Sequence, residues 1–96
     1  MGYYKIEFTK NARKNLKLLD NSVRLEVIKY IAKLEKVESP RSFGRKLKYS
    51  SVGNWRYKVS NYRIVAEIQD DKLVILMIAI GHRSIIYDEL NRKFNK

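Results

Sequence analysis

The sequence predicts an α+β fold in which an N-terminal strand and a pair of amphipathic helices pack on a small twisted sheet. The helical pair shows as apolar residues at one-turn spacing, and the sheet shows as alternating segments on either side of Ser60 and Asn61. A near-continuous apolar run from Lys72 to Ile80 supplies a further strand. The 96 residues can form one hydrophobic core but not a second folding unit, so we expect one domain over residues 1–96.

The N-terminal third is typical of a strand followed by two helices. The strand runs from Tyr3 to Phe8, with Tyr4, Ile6 and Phe8 on one side, and Thr9 is placed to cap the next helix. The second helix should begin near Val23 and end before Ser39, because the residue before a proline disfavours helical geometry. The expected buried positions are Ala12, Leu16 and Leu19 in the first helix and Val27, Ile28, Ile31 and Leu34 in the second.

The rest of the chain is predicted to build most of the sheet. The segment from Pro40 to Asn54 lacks periodicity and is interpreted as a loop with room for one helical turn. Asp70 and Asp71 should form a turn, and the apolar strand after them should be the middle of an antiparallel sheet. From Ser84 the spacing of apolar residues predicts a short C-terminal helix; these residues are Ile86, Tyr87, Leu90 and Phe94.

The hairpin around Ser60 and Asn61 carries most of the functional signal. A two-residue turn there pairs Val59 with Tyr62 and places Lys58 directly opposite Arg63. Like charges directly opposite each other destabilise a sheet, so this pair indicates a polyanionic partner that neutralises it. Arg56 lies on the same face as Lys58, whereas Trp55 and Tyr57 fall on the other face and are expected in the core.

Composition narrows the class of partner. The formal net charge of +11 favours a phosphate-rich partner, although anionic membrane surfaces would attract the same charge. No apolar run approaches the roughly 20 residues that span a bilayer, and the N-terminus lacks the layout of a signal peptide. We therefore expect a cytoplasmic protein.

The residue types also limit the chemistry. The chain has no cysteine and one histidine, which excludes thiolate metal sites and imidazole cages. Its acidic residues are scattered, with only Asp70–Asp71 and Asp88–Glu89 adjacent, so we expect neither a metal nor a cofactor. A nuclease without a metal can use the 2′-hydroxyl of RNA, which DNA lacks. If the chain cuts a nucleic acid, it should cut RNA, with the cations stabilising charge at phosphorus.

The hairpin from Trp55 to Val65 and the later run from Ile80 to Tyr87 resemble the RelE/ParE superfamily of toxin-antitoxin toxins. The resemblance covers nearly the whole chain. It implies a small microbial-RNase-like fold, a cognate antitoxin as partner and, for RelE-type members, cleavage of mRNA in the ribosomal A site. That cleavage proceeds by 2′-hydroxyl attack and leaves a cyclic phosphate, whereas ParE-type members use the same fold to poison DNA gyrase.

The resemblance also assigns catalytic positions. The basic hairpin residues of RelE-type toxins correspond to Arg56 and Lys58, the arginine of the next strand to Arg63, and the terminal arginine and tyrosine to Arg83 and Tyr87. Arg56 replaces a lysine of the best-known member. Since arginine is effectively never deprotonated, Lys58 is the more suitable proton acceptor.

Several assignments keep two interpretations. His82 could donate a proton in catalysis or serve as a structural group at a strand end. Tyr87 could stack on a base or anchor the last helix. A basic cluster is interpreted as a footprint for RNA and the ribosome, and its members are Arg45, Lys46 and Lys48. RelE-type cleavage is the favoured function; the alternatives are a gyrase poison and a non-enzymatic module that binds nucleic acid.

Overall fold

The computed structural model describes residues 3–47 and 53–86. Its elements are β1 (Lys5–Phe8), α1 (Lys10–Leu18), α2 (Asn21–Leu34), a 3-10 turn (Pro40–Ser42), β2 (Arg45–Lys46), β3 (Trp55–Val59), β4 (Tyr62–Gln69) and β5 (Val74–His82). Residues 83–86 are helical, and the remainder of the predicted C-terminal helix, including Tyr87, Leu90 and Phe94, lies outside the described residues. The predicted α+β class is confirmed.

The sheet is mixed, with the strand order β1-β5-β4-β3-β2. The prediction of an antiparallel sheet is wrong for β1, which runs parallel to β5 with Ile6 opposite Ile75. Parallel neighbours need a long connection to bring the chain back, and everything from α1 to β4 provides it. The prediction that β5 is the middle strand is also wrong, because β4 occupies that position. An apolar run indicates that a strand is buried but not where it lies in the strand order. β5 is buried between β1 and β4 and is not the central strand.

The helices cover one face of this sheet and enclose the core. Its buried members from the sheet are Tyr57, Val59, Ile64, Ala66, Ile68, Ile75, Met77 and Ile80, and those from the helices are Ala12, Val27, Ile31 and Leu34. Trp55 is half-buried against them, so the predicted core side of β3 is confirmed. The prediction for Ile28 is wrong, since its residue surface is 44% exposed. It lies one residue beyond Val27 and therefore rotates away from the line that Val27 and Ile31 direct at the sheet.

The segment before β3 is fixed by two aromatic side chains of that strand. The Tyr57 hydroxyl donates to the Pro40 carbonyl oxygen at 2.8 Å, and Trp55 Nε1 donates to the Phe43 carbonyl oxygen at 2.7 Å. Burial raises the pKa of the Tyr57 phenol, so it stays a donor. The predicted loop therefore contains a short strand, β2, which pairs with the start of β3. Two residues are too few to show alternation, so this strand could not be predicted from its pattern.

Polar side chains of α1 and of its N-cap, Thr9, hold the second half of β5. Asn15 Oδ1 accepts a hydrogen bond from the Ile80 amide at 3.0 Å, while Asn11 and Thr9 each donate to the Ile78 carbonyl oxygen at 3.1 Å. Thr9 also caps α1 as predicted, by accepting from the Ala12 amide. These bonds satisfy the edge of β5 beyond the end of β1. They fix the part of β5 that leads to residues 81–83.

The opposite end of the sheet is tied by an acidic turn. Asp70 lies in the predicted turn between β4 and β5, where Arg41 contacts it with both terminal nitrogens, at 2.8 and 3.0 Å. The Tyr4 hydroxyl donates to the same carboxylate at 2.6 Å. The hydrogen bond from Arg41 has the largest effect in lowering the pKa of Asp70, and that from Tyr4 adds to it.

Within the described part of the chain, no helix is both long and apolar enough to cross a membrane.

Candidate functional site

The β3–β4 hairpin has the register that the sequence predicted. Val59 pairs with Tyr62 and Lys58 lies directly opposite Arg63. Ser60, the first turn residue, has a positive φ of 56°, a conformation that two-residue hairpin turns require. Because side chains alternate along a strand, Lys58 and Arg63 occupy the sheet face that the helices leave uncovered.

A cavity of about 450 Å³ lies beside this hairpin. Its described lining contains five cationic side chains and no carboxylate: Arg45, Arg56, Lys58, Arg63 and Arg83, together with Tyr30 and Gly44. A concave surface lined by one sign of charge concentrates ions of the other sign. The volume falls within the range of small-ligand sites, so one or two nucleotides could occupy it.

The end of β5 brings Arg83 to the hairpin. The Arg83 amide donates to the Asn61 carbonyl oxygen in the hairpin turn at 2.9 Å. On β5, Gly81 is the register partner of Arg63. The polar side chains of α1 described above secure this part of β5, so the site depends on elements distant from it in sequence.

Arg63 is buried, although it lies on the sheet face that the helices leave uncovered. It is only 8% exposed, and its Nη1 donates to the Ser60 and Tyr62 carbonyl oxygens at 3.1 and 3.0 Å. Its register partner on β5 is Gly81, which has no side chain. Arg63 therefore lines the cavity and also holds the hairpin turn.

Gly44 brings β2 close to β3. Its φ is +78°, and a Cβ there would lie 2.2 Å from the Arg56 carbonyl oxygen. Only glycine permits this approach without strain. The next residue, Arg45, is thereby paired with Arg56 in the sheet and lines the same cavity. Arg45 thus joins the hairpin cations rather than a separate footprint.

His82 does not line the cavity with the cations. Its register partner is Tyr62, and the two rings meet edge to face with centroids 5.4 Å apart. Tyr62 precedes Arg63 and so points to the opposite face of the sheet. His82 Nδ1 lies 2.9 Å from the Ser84 hydroxyl oxygen and 3.3 Å from the Ser84 amide nitrogen, which donates to it. These contacts match a cap on the helical residues 83–86.

Two predicted site residues, Lys48 and Tyr87, lie outside the described residues. Lys46 is exposed on β2 and is absent from the described cavity lining. Arg56 is half-buried, whereas Lys58, Arg83 and Arg45 are exposed. The structure therefore brings together Arg45 and four of the six predicted catalytic residues. These four are Arg56, Lys58, Arg63 and Arg83.

Comparison with known proteins places the chain. A family model described as the ParE toxin of the type II toxin-antitoxin system, parDE, matches residues 6–87. The chain belongs to this family. It is also 32% identical over 92 residues to the mRNA interferase toxin RelE of Escherichia coli K12, a match that covers 93% of this chain and 94% of that protein.

Solved structures of relatives have the same fold. The isolated RelE toxin of E. coli superimposes with a TM-score of 0.67 at 25% identity, covering 95% of this chain and 98% of that one. The toxin in the RelB–RelE antitoxin-toxin complex of Methanococcus jannaschii gives a TM-score of 0.68 at 27% identity, covering 86% and 96%. Membership of a toxin family, which the resemblance of the hairpin and the terminal motif predicted, is confirmed.

Sequence reasoning missed two residues that line the cavity, Tyr30 and Gly44. Tyr30 follows Val27 by three residues on α2, so its spacing is that of a core position. Its ring does pack inward, and its centroid lies 5.9 Å from the centroid of the Tyr57 ring and 6.4 Å from that of the Phe43 ring. Only its hydroxyl could have indicated a role in the site, because a core position does not need a polar group.

The burial of Arg63 and the exposure of Lys58 predict opposite effects on stability. We expect Arg63→Ala to lower the free energy of unfolding by about 1.5–3 kcal/mol, because hydrogen bonds from a charged group to two turn carbonyls are lost. Lys58→Ala should change it by no more than about 0.5 kcal/mol, as is usual for an exposed side chain. Urea unfolding of both variants measures this difference, and equal unfolding midpoints would show that Arg63 does not hold the turn.

Proposed function

We propose that this protein is the toxin of a type II toxin-antitoxin pair and cuts mRNA on the ribosome as a metal-independent endoribonuclease. The observation that carries the proposal is the cavity, whose described lining holds five cations and no carboxylate. Such a lining suits a phosphodiester and offers no acidic ligands for a metal. The named activity of the relative at 32% identity, an mRNA interferase toxin, supports the same assignment.

The proposed reaction uses the substrate's own nucleophile. The 2′-oxygen attacks the adjacent phosphorus, the bond from phosphorus to the 5′-oxygen breaks, and the products carry a 2′,3′-cyclic phosphate and a 5′-hydroxyl. Lys58, with its amine neutral, accepts the 2′-hydroxyl proton, since the arginines cannot be deprotonated. Arg56 and Arg63 stabilise the charge that develops on the phosphoryl oxygens. Arg83 donates a hydrogen bond to the leaving 5′-oxygen, which takes its proton from water.

The composition of the cavity explains why the ribosome is needed. Among the described lining residues only Lys58 and Tyr30 can exchange a proton at all, so acid-base catalysis is weak. In-line attack also requires the 2′-oxygen, the phosphorus and the leaving oxygen to be aligned. A nucleotide that the ribosome holds in a fixed geometry is already aligned. The toxin then does not have to supply the entropic cost of aligning it.

The proposed setting follows from the substrate. We assign the protein to the cytoplasm, where translating ribosomes are found, and we expect a cognate antitoxin to neutralise it. Relatives with this fold have been solved as complexes with RelB antitoxins. Tyr87 and the basic cluster at Arg45, Lys46 and Lys48 remain part of the proposed RNA-binding and catalytic surface.

A second candidate has an observation in its favour. The matching family model is described as a ParE toxin, and ParE-type action on DNA gyrase is therefore a candidate for this chain. The cavity favours RNA cleavage, because Arg56, Lys58, Arg63 and Arg83 surround one space of nucleotide size. A poison that blocks another protein has no need for this convergence.

The proposal predicts cleavage of mRNA on programmed ribosomes, with free mRNA left largely intact. Lys58→Ala should slow single-turnover cleavage by about 10²- to 10⁴-fold, the range for loss of a general base. Lys72→Ala is the matched control, since it removes the same charge from the exposed turn between β4 and β5 at the far end of the hairpin strands. Sequencing gels of ribosome-bound mRNA provide the measurement.

Other outcomes of this experiment point to other functions. Equal cleavage of deproteinised mRNA, or cleavage of DNA, would contradict the ribosome-dependent mechanism. Plasmid DNA trapped with gyrase would identify the ParE-type alternative. Binding of RNA without cutting by the wild-type protein would leave only a nucleic-acid-binding module.

The position of His82 on the other face of the sheet predicts a minor role. His82→Gln should slow single-turnover cleavage by less than about 100-fold, the lower limit for a general acid. Arg83→Ala, which removes a cavity cation, should slow it by about 10²- to 10³-fold. Both rates need saturating ribosomes, so that binding does not limit them. A larger loss for His82→Gln than for Arg83→Ala, at unchanged melting temperature, would show that the imidazole is the main proton donor.

A further inference from the structure

Tyr30 of α2 lines the cavity together with the hairpin cations. Its ring is fully accounted for by packing against Tyr57 and Phe43. The Lys33 ammonium lies 5.2 Å from the centre of the same ring, as a cation–π contact. A phenylalanine would satisfy all of these contacts, so packing does not explain the hydroxyl.

The hydroxyl of Tyr30 differs from those of Tyr57 and Tyr4. Tyr57 donates to the Pro40 carbonyl oxygen and Tyr4 donates to Asp70, whereas Tyr30 makes no hydrogen bond within the described residues. In that part of the chain no fully buried polar side-chain atom lacks a partner. The Tyr30 hydroxyl is therefore not fully buried, and Tyr30 is a lining residue of the cavity.

The surroundings of this hydroxyl define what it can bind. The other polar side chains of the described lining are all cationic donors, so the occupant must accept hydrogen bonds and carry negative charge. Burial raises the pKa of the Tyr30 phenol, which keeps it protonated and able to donate. A phosphate oxygen is the group that meets both conditions in RNA.

We propose that the Tyr30 hydroxyl donates a hydrogen bond to a non-bridging phosphate oxygen of the RNA held in the cavity. The inference rests on the proposed function and adds a neutral contact to it. Flexible cations attract a phosphate from many directions, whereas a phenol on a packed ring has few orientations. Tyr30 thereby fixes the position of the backbone against Arg56 and Lys58, which line the same cavity.

Tyr30→Phe tests the proposal, because it removes the hydroxyl and keeps the ring. Tyr3→Phe is the matched control, since Tyr3 is exposed and precedes the strand at the other edge of the sheet. In titrations of single-turnover cleavage, the toxin concentration for half-maximal rate should rise roughly 10- to 100-fold for Tyr30→Phe, as expected for a lost hydrogen bond to a charged group. The control and both melting temperatures should match the wild type.

A binding measurement separates this inference from the proposed function. Fluorescence anisotropy with a short single-stranded RNA that carries 2′-deoxy sugars, and so cannot be cut, should show the same loss for Tyr30→Phe. If the wild type does not cut mRNA, the proposed function fails and this binding measurement alone decides the role of Tyr30. Equal affinities of wild type and Tyr30→Phe would overturn the inference.

Sulfur substitution of the phosphate distinguishes a lost hydrogen bond from a change in folding. Sulfur accepts hydrogen bonds poorly, so one of the two phosphorothioate stereoisomers at the contacted position should bind the wild type more weakly than the oxygen substrate. Tyr30→Phe should lose that discrimination, whatever its stability. The same discrimination in both proteins would show that the hydroxyl does not contact a phosphate oxygen.

Discussion

The site depends on one unfavourable arrangement, the placement of Lys58 directly opposite Arg63 across the hairpin. Two cations at this separation repel, and a sheet with no other purpose would avoid them. The hairpin tolerates them because the Arg63 guanidinium is bound to the carbonyl oxygens of Ser60 and Tyr62, while Lys58 extends into solvent. A bound phosphate relieves the repulsion that remains between the two cations. The repulsion therefore lowers the stability of the free protein and strengthens its binding of the substrate.

The rest of the fold brings further groups to this pair. The bonds from Asn11 and Asn15 hold the second half of β5, whose end delivers Arg83 to the hairpin turn. The positive φ of Gly44 lets β2 approach β3 and adds Arg45. α2 packs on the other side and adds Tyr30. Each of these contributions comes from a different element, which explains how a chain of 96 residues assembles a cavity without a second layer of helices over it.

The hairpin could be predicted from the sequence, whereas its environment could not. Alternation and a two-residue turn determine the register between Lys58 and Arg63, because a slip of one residue would expose Tyr57. The burial of Arg63 arises only in the assembled sheet, where β5 pairs with β4 and Gly81 lies beside Arg63. The position of His82 depends on that same pairing. The parallel direction of β1 is not encoded in its own alternation, since a strand shows the same pattern in either direction.

In the proposed reaction, the cations of the cavity promote attack by the substrate's own 2′-hydroxyl. The most direct test replaces that single hydroxyl by hydrogen at the nucleotide where ribosome-bound mRNA is cut, with the rest of the message unchanged. We expect cleavage at this position to stop while binding of the protein to the ribosome persists, and we expect unmodified message to yield a 2′,3′-cyclic phosphate. Cleavage of the deoxy-substituted message at an undiminished rate would rule out attack by the 2′-hydroxyl, because the nucleophile would then have to come from water.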